Sequence, residues 1–210
     1  MNDKSKTQDD GLEPQVNMDR RVRADAQRNI DALLQAALVV FATSGVDAPV
    51  REIAEKAGVG IGTVYRHFPQ RSDLIAAVFR REIDACTDAA AILADEYDPF
   101  DALEHWMQRY AAFVATKRGL ATALYSGNSA YDPLHVYFNQ RLRPALQTLL
   151  ESAIAVGAVR SDVDAEDILG AVRGLCMAAD DGRPGQTQRM IALFADGLRY
   201  GARASTNTPT

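Results

Sequence analysis

The chain has 210 residues, 47% hydrophobic and 24% charged, with a formal net charge of −5, two cysteines and three histidines. That balance suits a globular protein with a real core, in one large or two small domains, and no apolar run approaches the ~20 residues of a membrane span. The first residues are polar and acidic, without the basic start and apolar middle of a secretion signal, so we expect a cytoplasmic protein whose Cys86 and Cys176 are small core residues.

Charge is unevenly spread. Residues 1–19 carry −3, residues 20–81 carry +4 and residues 82–210 carry −6. A basic segment ahead of an acidic body orients a molecule on a polyanion. Residues 1–19 hold few apolar side chains and read as a disordered arm. Arg20, Arg21 and Arg23 follow it, where they could reach phosphate or a minor groove ahead of the first helix. Over residues 23–43, Ile30, Leu33, Leu34, Ala37, Leu38 and Phe41 recur at helical spacing and mark one amphipathic helix. Ser44 and Gly45 end it, and Asp47, Ala48 and Pro49 lead into the next, with Pro49 where a first-turn proline is tolerated.

Residues 50–71 read VREIAEKAGVGIGTVYRHFPQR. Helical apolar spacing (Val50, Ile53, Ala54, Ala57) stops at Gly58, which can take a positive φ, and a short second helix over 61–68 follows with Val64, Tyr65 and Phe68. This is a helix-turn-helix pattern. Its second helix shows Gly62, Thr63, Arg66 and His67 on the arc that the core residues leave free, and such a face can enter a major groove.

The run Ala57, Gly58, Val59, Gly62, Thr63, Val64, Tyr65, His67 and Phe68, followed by Arg71, Asp73 and Leu74, resembles the tetracycline-repressor (TetR) family of bacterial regulators. The resemblance is specific over residues 23–79. It implies that Arg51 reaches a guanine edge, that Thr63, Tyr65 and His67 contact bases or phosphates, and that Arg71 neutralises phosphate where the family usually has Lys. Gly62 and Arg66 complete the expected DNA face. One departure stands out: a Ser or Thr commonly caps the first motif helix in the family and touches phosphate, but Ala48 and Pro49 offer no hydroxyl. Asp47 is the only nearby capping side chain.

The body continues in helices. One is expected over 71–94 (Leu74, Ala77, Val78, Ile83, Cys86) and another over 99–116 (Leu103, Trp106, Met107, Tyr110, Phe113, Val114). A short one over 119–125 and a turn-rich loop over 126–133 precede a long helix over 134–156, where interior Pro144 should produce a kink. Asp164 and Asp167 have capping-box spacing ahead of a helix over 165–179, and a last helix spans 186–200. No strand alternation occurs, so the expected class is all-α: a three-helix, homeodomain-like DNA-binding domain at residues 20–70 and a helical ligand-binding and dimerisation domain at 71–201, with a disordered tail at 202–210.

By resemblance the body dimerises through its last two helices and holds an inducer among the middle ones. The last two carry apolar residues spread more widely than one core face needs, and Ile168, Val172, Leu175, Met190, Phe194 and Leu198 are the candidate interface residues. Aromatic and polar side chains mix at Trp106, Tyr110, Phe113, Tyr125, Tyr131, His135, Phe138 and Arg141, the candidates for a pocket, although such stripes are also ordinary core. None of His67, His105 and His135 has a His or Cys partner at i+3 or i+4, and no phosphate loop or nucleophile elbow occurs, so neither catalysis, a metal nor a cofactor is expected. The expected partners are a palindromic double-stranded DNA operator, a small-molecule inducer and a second copy of the chain, with no membrane. A helical small-molecule carrier is the alternative, but a carrier gains nothing from Arg51, Thr63, Arg66 and Arg71 grouped on one head.

Overall fold

The computed structural model describes residues 13–124, 129–178, 183 and 185–204. Within them the chain is all α-helix apart from one 3-10 turn: α1 (Glu13–Ser44), α2 (Val50–Ala57), α3 (Ile61–His67), α4 (Arg71–Glu96), α5 (Pro99–Leu124), η1 (Ser129–Tyr131), α6 (Asp132–Ala155), α7 (Ala165–Ala178) and α8 (Gln186–Ala204).

Three boundaries differ from the sequence expectation. α1 begins at Glu13, so residues 13–19 are helical rather than part of an arm, and Arg20, Arg21 and Arg23 lie within the helix rather than ahead of it. α5 runs unbroken to Leu124 and absorbs the short helix expected from residue 119. α8 runs on to Ala204, so residues 202–204 are helical rather than part of the tail.

The punctuation follows from residue chemistry. Gly45, Gly58 and Gly157 take φ of +81°, +68° and +68°, each just past a helix end where a side chain would be strained. At the start of α7, the Asp164 amide donates to Asp167 Oδ2 (3.1 Å) and the Asp167 amide to Asp164 Oδ1 (2.9 Å), the reciprocal pair that its spacing predicted. α2 is different: Pro49 holds the N-cap position and no side chain caps the helix, so Asp47 does not do so.

One apolar core runs the length of the molecule. In the head, Leu33, Ala37 and Phe41 of α1, Ile53 of α2, Val64 of α3 and Leu74 of α4 all belong to this core, with α1 packed on α2 and α4 and α2 packed on α3. In the body, α4 packs against α5 and α6, and α7 and α8 pack on α5. Among the described residues no polar or charged residue is buried, and no helix is long and apolar enough to cross a membrane. α4 belongs to both parts, since it packs on α1 of the head as well as on α5 and α6 of the body.

Candidate nucleic-acid interface

The head is built so that α3 is held by little of itself. Ala54 and Glu55 carbonyls accept from the Gly58 cap, the Val59 amide donates to the Ala54 carbonyl at 3.0 Å, and half-buried Val59 fills the angle between α2 and α3. Val64 is the buried anchor of α3, and Phe68 packs partly behind it. The remaining surface of this seven-residue helix faces outward.

That outward surface carries most of the expected face. Gly62, Tyr65 (52% exposed), Arg66 and His67 are exposed on α3, and Thr63 is half-buried beside them. Ile61, 46% exposed at the helix start, joins them and was not foreseen; its only sequence signal is its place between Gly60 and Gly62. Arg51 is exposed at the start of α2, with Nε 2.9 Å from Glu55 Oε1 one turn on. An exposed i,i+4 pair of this kind holds the guanidinium weakly, about 0.3–0.5 kcal/mol, so it is easily exchanged for another acceptor. Gly60 and Gly62 have ordinary φ, and a Cβ at either would meet nothing within 4 Å. No internal packing or backbone strain requires glycine at these two places.

Arg71 is arranged otherwise. It is half-buried, and its guanidinium donates to the carbonyls of Val46 and Ala48 in the turn between α1 and α2.

The aromatic candidates of the body come together in part. Trp106, Tyr110 and Phe113 of α5 and Phe138 of α6 form one cluster, with centroids 5.6 Å apart for Trp106 and Tyr110 and 6.3 Å for Tyr110 and Phe138. Trp106 is fully buried and its Nε1–H donates to the Cys86 carbonyl of α4 at 2.9 Å, so α5 is tied to α4 at this point. Burial pushes the Tyr110 phenol well above its ordinary range, which keeps it neutral. Arg141 does not join the cluster: it lies at the α4–α6 surface, 3.1 Å from Asp84 and 3.8 Å from Asp88, where Tyr137 also donates to Asp84 at 2.5 Å. His135 is exposed, Tyr131 is buried in η1, and Tyr125 lies outside the described residues. His105 is held on the surface by the Asp101 carbonyl (2.7 Å) and a stack on Tyr97 (4.3 Å). Among the described residues no group of three or more His, Cys, Asp or Glu could hold a metal.

The candidate dimer residues divide. Ile168, Val172 and Leu198 are buried within the chain at 0%, 0% and 3% exposure, so they belong to its own core and not to an open face. Leu175, Met190 and Phe194 instead line an apolar surface groove of about 550 Å³ with Ala171, Gly174 and Leu193. Leu193 (71% exposed) and nearby Met177 (68%) were missed. A signal for Leu193 exists: Met190, Leu193 and Phe194 at i, i+3 and i+4 form a second stripe beside the inward one of Ile191, Ala195 and Leu198.

Comparison with known proteins gives two family matches. The family described as bacterial regulatory proteins, tetR family, matches residues 33–78, and the one described as transcriptional regulator SbtR-like, C-terminal domain, matches residues 98–200. The solved TetR transcriptional regulator SCO0520 from Streptomyces coelicolor is 37% identical, with 81% of this chain and 98% of that one covered and a TM-score of 0.70. A TetR transcription regulatory protein from Mycobacterium vanbaalenii is 33% identical, with 85% and 99% covered and a TM-score of 0.67. An HTH-type transcriptional regulator of Staphylococcus aureus is 28% identical over 123 residues, 58% of this chain. The match spans 66% of that protein, about two thirds of the length of the curated relatives.

Proposed function

The chain belongs to the tetracycline-repressor (TetR) family of bacterial DNA-binding transcriptional regulators, and from that premise we propose that it is a ligand-released repressor that binds a palindromic operator as a homodimer. The observation that carries the reading is the outward face of α3. A Cβ at Gly60 or Gly62 would meet nothing within 4 Å, while Tyr65, Arg66 and His67 stand exposed around them and Arg51 stands exposed on α2. Glycines with no internal reason to be glycine fit a surface on which another backbone comes close, and the polar side chains around them fit phosphates and base edges. In this reading α3 enters the major groove, Arg51 takes a guanine edge, and Thr63, Tyr65, Arg66 and His67 hold the strand. Residues 20–70 act as the head and 71–201 as the body.

Dimerisation is assigned to the α7–α8 groove. A two-fold axis through it would set Leu175, Leu193 and Phe194 against their own copies and take exposed apolar surface out of water. The effector is assigned to the aromatic cluster of α5 and α6, which would take an uncharged apolar or aromatic compound. Such a compound would disturb the Trp106 tie to α4 and through α4 the spacing of the two heads, and by linkage it must bind the DNA-bound dimer more weakly.

Selection from a pool of random duplexes with the purified chain tests this. The expected product is an inverted repeat whose half-sites lie one helical turn, about 34–36 Å, or a multiple of it apart. An unenriched pool, or enrichment of single half-sites only, contradicts the proposal.

A further inference from the structure

Arg71 opens α4, but its guanidinium does not lie among the exposed residues of α2 and α3. Nη2 donates to the Ala48 carbonyl at 2.8 Å and Nη1 to the Val46 carbonyl. Both acceptors sit in the turn that joins α1 to α2, where the side chains of Val46 and Ala48 are themselves buried. Carbonyls in an irregular turn have no helical ladder to bond to, and a planar fork with separate donors can serve two of them at once. The same turn feeds α2, which has no side-chain cap of its own. The charge of Arg71 is also felt in the body: Tyr131 of η1 is buried, and while desolvation pushes its phenol up, Arg71 pulls it back.

We propose that Arg71 is a positioning residue and not a phosphate contact: by bridging the Val46 and Ala48 carbonyls it fixes the α1–α2 turn, and with it Arg51, to the first turn of α4. Head and body then move together, because the helix that carries the effector's disturbance also sets where the first motif helix begins. The inference rests on the DNA-binding reading above for its functional meaning, and on the two hydrogen bonds for its geometry.

The test uses the full chain and the selected duplex. Arg71→Lys keeps the charge but replaces the fork by one ammonium, whereas Arg71→Met removes the charge. Positioning predicts that both lose affinity to a similar extent, about tenfold, within the range that a bidentate Arg–guanine contact contributes. It also predicts an unchanged salt dependence for Arg71→Met and no further loss when either variant is placed in the Arg51→Ala background, since the side chain being positioned is already gone. A phosphate contact predicts the reverse: Arg71→Lys close to wild type, Arg71→Met with a salt slope flatter by about 0.9 per contact, and losses that add to Arg51→Ala. That pattern would overturn the proposal. Amide hydrogen exchange without DNA supplies a separate readout, in which Arg71→Lys should speed exchange over residues 46–53 while α5 and α6 keep wild-type protection. Unchanged exchange over 46–53 also overturns it. If the wild-type chain enriches no duplex, the DNA-binding reading fails, and the exchange measurement still decides whether Arg71 holds the turn.

Discussion

Gly62 lies in the first turn of α3 with helical backbone and with nothing within 4 Å of the place that a methyl group would take. Its replacement by alanine therefore has two separable consequences. Alanine loses less chain entropy on folding, and glycine inside a helix is worse by roughly 0.5–1 kcal/mol, so Gly62→Ala should stabilise the protein. For a chain of this size, 1 kcal/mol moves Tm by about 2–4 °C, which gives a rise of about 1–4 °C in a calorimetric scan. In the proposed complex the same methyl would stand on the face that approaches the strand, in both heads of the dimer. Affinity for the selected duplex, followed by fluorescence anisotropy, should fall by about tenfold or more, the equivalent of about 1.4 kcal/mol. Gly58→Ala is the contrast: at φ +68° an added Cβ strains the backbone by about 1–2 kcal/mol, so that variant should lose stability. A Gly62→Ala protein that is stabilised and binds as well as wild type would refute the placement of Gly62 on the contact face. A destabilised one would refute the backbone argument.

Three further outcomes follow from particular residues. Leu193 is 71% exposed in the single chain, and burying a leucine is worth about 2 kcal/mol, so covering it in both copies of a dimer contributes about 3 kcal/mol; Leu193→Asp should give a folded monomer by sedimentation, whereas Ile168→Asp, at 0% exposure, should lose the fold instead. Arg51→Ala should cost about 1–3 kcal/mol on the selected duplex and relax preference at one base position per half-site, read by repeating the selection with the variant. Burial pushes the Cys86 thiol from 9.0 up to about 12, with the charge of Arg109 opposing; because the folded value is the raised one, its contribution to stability is intact below pH 9 and is lost as pH climbs towards 12. Native Cys86 should therefore resist thiol reagents at pH 8, and Cys86→Ala should soften the fall of Tm between pH 9 and 12.

The motif was legible because its signals are local. The glycine at 58, the plug at Val59 and the apolar pair Val64 and Phe68 of α3 each specify a backbone state or a contact within a few residues, and the pair Asp164 and Asp167 does the same for α7. What was not legible depends on partners distant in sequence. Periodicity places Ile168, Val172 and Leu198 on apolar faces together with Leu175, Met190 and Phe194, but a helix apolar on two sides does not declare which side its own chain covers. Arg71 reads as a surface charge until the turn of residues 45–49 is folded over it. The start of α1 was missed because residues 13–19 lack an apolar stripe, and helical continuity there follows the helix behind it instead of a core of its own. The short helix expected over 119–125 is instead the end of α5, which passes through Gly119, where a glycine weakens a helix without ending it.

The claim that α3 enters the major groove is tested most directly by methylation interference. Guanine N7 lies in that groove, and a methyl group there blocks a side chain or a backbone that comes close to the base edge. Duplexes carrying one methylated guanine each would be separated into fractions bound and not bound by the wild-type dimer. Interference at two symmetry-related sets of guanines, one helical turn or a multiple of it apart on the selected repeat and lost at one position in Arg51→Ala, is the predicted result. Binding that is indifferent to N7 methylation throughout the selected site would contradict the account.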